Sequence, residues 1–204
     1  MVKVYSMNPM SFDSGPGIRV EVVLCDDDSA GIELTSKELV DRIRKFRPYF
    51  GPDGGGVTFK ADNIFKYSSF LEEACVICHK AGINICIETN GIDYSDNTDL
   101  LNNIDLLNNI DLVILKIESL PLFNYNNYSI ESMMNTSNLI NKVNEKKINI
   151  CAKQFIQNGI NDTIEYINAL KKYISMYGIN DIELISDDLD DNKLLELKRI
   201  LKEV

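Results

Sequence analysis

The sequence predicts one α/β domain built on a largely parallel sheet. Three observations predict it. Six short runs rich in β-branched and aliphatic residues recur along the chain, segments of helical period fill the intervals, and 204 residues suffice for one sizeable core. A single domain spanning residues 1–204 is expected.

The first run is Ile18 to Leu24, and a helix follows it. Thr35 and Glu38 form a capping box at its start, the hydroxyl accepting from first-turn N–H groups while the carboxylate reaches back. Gly56 to Phe59 is the second strand. Its helix is expected to open at a second box, Ser69 with Glu72, and to stop at Gly82 in a left-handed turn. Ile83 to Thr89, Leu112 to Ile117, Asn149 to Ile156 and Asp181 to Ile185 complete the strands, and a helix closes the chain from about Asp191. Strand–helix alternation of this kind builds a parallel sheet with right-handed crossovers. Six units suit an open partial barrel or a doubly wound sheet, and the pattern alone does not choose. In both, ligands sit at the C-terminal ends of the strands.

Between the third and fourth strands, Leu100-Leu101-Asn102-Asn103-Ile104-Asp105 is repeated at once as Leu106-Leu107-Asn108-Asn109-Ile110-Asp111. A six-residue period fits neither helix nor strand. The repeat reads as a tandem duplication in a surface connection.

Charge excludes some classes. Against 31 acidic residues stand 21 basic ones, a formal charge of −10, which opposes nucleic-acid binding and attraction to anionic membranes. Met1 to Ser6 lacks the layout of a signal peptide, and no apolar stretch approaches the ~20 residues that cross a bilayer. Five cysteines without a disulfide rhythm suit the cytoplasm.

Several motifs reduce to structure. Cys75-Val76-Ile77-Cys78-His79 spells a haem-attachment pattern, but it falls inside a helix and His79 is the only histidine, so plain packing is expected. The same shortage opposes a serine triad. Asp26-Asp27-Asp28 reads as a solvated turn. Asp187, Asp188, Asp190 and Asp191 suit a helix N-terminus. Gly54-Gly55-Gly56 lacks the lysine and hydroxyl of a phosphate loop. Cys86 precedes Glu88 by two and Cys151 precedes Lys153 by two, so alternation puts each pair on one side of its strand. With Cys25 ending the first strand, these three thiols are a candidate metal or cluster site.

Three segments carry a family resemblance. Ser14-Gly15-Pro16-Gly17-Ile18-Arg19 resembles the D-G-P-G-I-R stretch of pyruvate formate-lyase activating enzymes; Arg47 through Gly54-Gly55-Gly56-Val57-Thr58-Phe59 resembles their G-G-G-V-T segment; and Ala81-Gly82-Ile83 through Glu88-Thr89-Asn90-Gly91 resembles their A-G-I to T-N-G strand. The resemblance implies a partial (β/α)6 barrel of the radical-SAM type, a 4Fe-4S cluster held by three thiolates spaced C-x3-C-x2-C, and S-adenosylmethionine. It also implies abstraction of hydrogen from a glycine of a partner, so the expected partner is a glycyl-radical enzyme or its activase. Glu88 and Thr89 match positions near the cofactor carboxylate, and Lys153 stands where the family has an arginine.

The departures are specific. Val22-Val23-Leu24-Cys25 runs straight into Asp26, and the chain contains no C-x3-C-x2-C. Where the family reads S-G-G-E-P, this chain reads Lys60-Ala61-Asp62-Asn63-Ile64. For L-D-L-K it has Leu115-Lys116-Ile117-Glu118, and Asn158 and Ser186-Asp187-Asp188 replace a proline and a histidine. A degenerate, inactive member that binds a partner is therefore expected.

Overall fold

The computed structural model describes residues 1–25, 31–52, 54–94, 106–118, 120, 123 and 128–202. Asp26-Asp27-Asp28 and the first copy of the hexapeptide lie outside these residues.

Eight strands form one sheet: β1 (Val2–Ser11), β2 (Arg19–Cys25), β3 (Ile32–Leu34), β4 (Gly56–Lys60), β5 (Asn84–Thr89), β6 (Leu112–Ile117), β7 (Asn149–Phe155) and β8 (Asp181–Ile185). The helices are α1 (Ser36–Ile43), α2 (Ser68–Lys80), α3 (Ile130–Glu145), α4 (Ile164–Met176) and α5 (Asp191–Lys202). All six predicted strands form, with ends shifted by at most one residue. The spatial order is β3-β1-β2-β4-β5-β6-β7-β8, and β2 through β8 pair in parallel, leaving aside β3.

That order decides between the two architectures. A doubly wound sheet reverses its strand order near the middle and covers both faces with helices. Here the parallel strands follow chain order, and among the described residues the helices pack against one face. Val20, Val22, Val57, Phe59, Ile85 and Ile87 share a core with Leu39, Ile43, Leu71 and Ala74 of α1 and α2. Leu115, Ala152 and Leu184 share a second with Tyr166 and Leu170 of α4 and Leu197 of α5. The alternate residues of each strand line the other face. The result is an open, partial (β/α)6 barrel.

Local sequence explains the main boundaries. The Thr35–Glu38 box forms: Glu38 N donates to Thr35 Oγ1 (3.2 Å), and Thr35 N donates to Glu38 Oε2 (2.9 Å). Gly82 stops α2 at φ +64°, with Ile83 N donating to Cys78 O (3.1 Å). The Ser69–Glu72 box is a correction. The chain turns earlier, in a 3₁₀ segment Ile64–Tyr67 capped by Asn63, whose Oδ1 accepts from Lys66 N (3.2 Å). Ser69 is thus already helical when the box would have to form.

Strands β1 and β3 were not expected. Register shifts between Val4 and Ser6 and between Asn8 and Ser11 break the alternation of β1. Strand β3 covers only Val2 to Val4 of it, so Pro9 falls where no neighbour needs its missing N–H. The second hexapeptide copy also corrects an expectation. Leu106 and Leu107 are fully buried in the first core, and Asp111 Oδ2 accepts from Ile85 N (2.7 Å). That copy is packed structure, not a surface connection.

Candidate functional site

The helix-free inner face of the sheet carries a row of charged side chains, Glu88 and Lys153 among them buried. Register places Thr58 beside Cys86, Lys60 beside Glu88, and Lys116 beside Lys153, which adjoins Glu183. Such a face is normally filled by branched apolar side chains in a closed barrel. Here it carries acids and bases in alternation. Lys60 Nζ reaches Glu21 Oε2 at 2.8 Å and Glu88 Oε2 at 3.0 Å. Glu88 is also approached by Lys116 (3.9 Å) and Lys153 (4.0 Å), and Lys153 by Glu183 (3.9 Å). Three carboxylates and three ammonium groups therefore form one chain of charge across six strands.

Burial and pairing compete at the β2 end of this chain of charge. Burial works to raise the Glu21 carboxyl, but hydrogen bonds from Lys60 and Ser14 and the nearby ammonium charges outweigh it and hold it below its ordinary value. Burial works to lower Lys60, but its bonds to Glu21 and the charge of Glu88 outweigh it and raise it. Both groups stay ionised at neutral pH.

A strap formed by Phe12 to Gly17 crosses the N-terminal half of this face. Ser14 Oγ donates to Glu21, Thr58 Oγ1 donates to Ser14 O (2.5 Å), and Lys153 Nζ donates to Asp13 O. Arg19, 0% exposed, anchors the strap to the strands. Its guanidinium donates to Thr58 Oγ1 (2.7 Å), Gly54 O (2.7 Å), Val57 O (2.6 Å) and both oxygens of Asn84 (3.1 and 3.2 Å). Sequence reading did not single out this arginine, although one planar fork reaching four segments is chemistry that lysine does not offer.

Of the candidate residues, the structure brings Glu88 and Lys153 together on the inner face. Thr89 falls on the opposite parity, and its Oγ1 accepts from Gly91 N (3.0 Å) in the turn that ends β5. Cys86 shares the inner face with Glu88 and is fully buried, where desolvation pushes its thiol up to about 11. Cys151 lies two strands away, half-buried, its thiol raised to about 12 chiefly by burial. Cys25 ends β2, half-buried. Among the described residues no three histidine, cysteine or acidic side chains gather as a metal-ligating group. Cys75 and Cys78 pack in the core behind α2, and His79 Nε2 instead meets Asn109 O (2.9 Å).

A second feature is a cavity of about 880 Å³ at the N-terminal ends of β5 to β8, bounded by the strap and by α5. No helix among the described residues is long and apolar enough to cross a membrane.

Comparison with known proteins gives these features a lineage. The pyruvate formate-lyase-activating enzyme of Clostridium pasteurianum is 25% identical over 240 aligned positions, which take in 100% of this chain and 98% of that enzyme. This similarity to a radical-SAM activase runs the whole length of the chain. The pyruvate formate-lyase 1-activating enzyme of Escherichia coli is 26% identical over 103 residues, 44% of this chain and 42% of that one. Streptococcus suis SuiB, solved bound to S-adenosylmethionine, superposes with a TM-score of 0.63 at 13% identity over 83% of this chain and 38% of its own, a likeness of fold. No family model matches the chain. The Clostridium alignment runs to 240 positions against 204 residues here, so the relative carries segments this activase homologue lacks.

The cofactor groups of the radical-SAM activases do not fit the residues present. Three thiolates on one loop would hold the cluster, whereas the five cysteines are spread over β2, α2, β5 and β7. At the positions of the family's S-G-G-E-P, Lys60 is held between two carboxylates, and Asn63 is engaged as a cap.

Proposed function

We propose that this chain is an activase-like barrel that has lost cluster and S-adenosylmethionine chemistry and acts by binding a partner, a glycyl-radical enzyme or its activase. The observation that carries the reading is Lys60. Its ammonium lies between Glu21 and Glu88 on the inner face, at the position that the resemblance matches to the serine opening S-G-G-E-P. An ion-pair chain that neutralises itself has little reason to reorganise around a ligand, because each partner removed leaves a charge uncompensated. Five thiols and no disulfide suit a reducing cytoplasm.

A second reading rests on the parity of Cys86 and Cys151, which share the inner face, with Cys25 at the strand end: a cluster or metal held from separate strands. Anaerobic reconstitution with iron and sulfide separates the two. The first reading expects iron and acid-labile sulfide at background after desalting. Stoichiometric iron, lost when Cys25, Cys86 or Cys151 is replaced by serine, would overturn it in favour of the second.

A further inference from the structure

Among the described residues no strand pairs with the outer edge of β8. Strand β8 pairs with β7 and ends the sheet. Ile185 O is turned toward β7, where it accepts from Ile156 N (2.8 Å). Alternation then turns the backbone N–H and C=O groups of Ile182 and Leu184 to the open side. The 880 Å³ cavity follows that edge: four consecutive residues, Asp181 to Leu184, line it, so both faces of the strand border the same space. On the inner face it meets Asp181 and Glu183, the latter half-exposed at the open end of the charge chain and approached by Lys153 only at 3.9 Å. On the outer face it meets Leu201, flanked by Lys198 and Lys202 of α5.

We propose that this edge accepts an extended segment of a partner protein as an added strand. The segment carries lysine or arginine at the alternate positions that share the face of Asp181 and Glu183, with apolar or acidic residues between them. Backbone groups of Ile182 and Leu184 supply the ladder, and alternating charge sets the register. The cavity beside the edge supplies the space for side chains. A second copy of this chain does not suit the edge, because an antiparallel β8–β8 pair centred on Glu183 would oppose like carboxylates. The inference gives the proposed partner-binding role a surface. It takes its biological meaning from that reading but does not require that the chain be inactive.

The test uses the full chain and two fluorescein-labelled hexapeptides, one alternating Lys and Val, the other alternating Glu and Val. Anisotropy at low salt should show saturable binding of the basic peptide and at least about tenfold weaker binding of the acidic one. Hydrogen exchange at the Ile182 and Leu184 amides should slow in the complex. Ile182→Pro removes an N–H from the open edge while sparing the β7 ladder, and should weaken binding about tenfold or more with the fold retained by circular dichroism. Asp181→Lys with Glu183→Lys should invert the preference, which keeps the test decisive if the proline variant fails to fold. The proposal is overturned by equal binding of the two peptides, by no saturable binding of the basic one, or by a folded Ile182→Pro protein that binds as the parent does. None of these outcomes bears on cluster chemistry, so failure here and failure of the inactive-activase reading are separately visible.

Discussion

The ammonium of Lys60 lies 3.0 Å from the carboxylate of Glu88 on the adjacent strand, and the pair sits directly on the inner face of the barrel. Lys60 is also 2.8 Å from Glu21, so one side chain joins β2, β4 and β5. Replacing Lys60 by methionine keeps much of the volume and leaves two carboxylates without their shared counter-charge. A loss of about 2 kcal/mol in urea unfolding is expected, below the full cost of breaking a buried pair because the site is partly wet. Adding Glu88→Gln to that variant should cost less than the sum of the single changes, since the uncompensated charge is then gone. Additive losses would show that the two residues are not coupled.

Lys60 and its other partner, Glu21, give stability a two-sided pH dependence. Glu21 is held below its ordinary 4.5, so its contribution is complete above that value and is lost as pH falls through the lower folded-state value. Lys60 is raised above its ordinary 10.5, so its contribution is complete below 10.5 and is lost as pH rises through the raised value. The stability gap between the parent and Lys60→Met, measured by urea unfolding, should be flat at neutral pH. It should narrow at both extremes. A gap independent of pH would contradict the assignment.

Arg19→Lys is expected to cost about 3 kcal/mol in thermal or urea unfolding. A single ammonium cannot serve Thr58, Gly54, Val57 and Asn84 together, and buried carbonyls are left unpaired. The strap should loosen in consequence, seen as faster hydrogen exchange in Asp13 to Gly17. Parent-like exchange there would show that the strap is held by other means.

Gly56 explains part of the glycine run. A Cβ added there would lie 2.0 Å from Asn84 O, a backbone atom of the neighbouring strand that cannot yield without breaking the β4–β5 ladder. Gly56→Ala should therefore abolish soluble expression or cost about 3 kcal/mol, while Gly51→Ala, with nothing within 4 Å, carries only the strain of its left-handed backbone (φ +60°), about 1 kcal/mol, and should cost less. Similar losses for the two would refute the close-approach account.

The parallel sheet was legible because its strands are buried on the helix side and bounded by caps and glycines that act locally, as Thr35 and Gly82 do. The β1–β3 edge was not, since two bulges and Pro9 erase the alternation that marks a strand. The parity argument that paired Cys86 with Glu88 and Cys151 with Lys153 needed only the two-residue period, and the register bears it out. Thr89 was grouped with Glu88 because the resemblance puts both near the cofactor carboxylate, yet one residue along a strand is the opposite face. What sequence could not give was distance across strands. Lys60 was read as a lost glycine motif; its bonds to Glu21, 39 positions earlier, and Glu88, 28 positions later, follow from the β2–β4–β5 register alone.

The most direct test of the account is deoxyadenosine release from S-adenosylmethionine, measured on anaerobically reconstituted protein under strong reductant. The account predicts none above a protein-free control. Release that tracks bound iron would contradict it, and would mean that thiols from separate strands have replaced the missing loop.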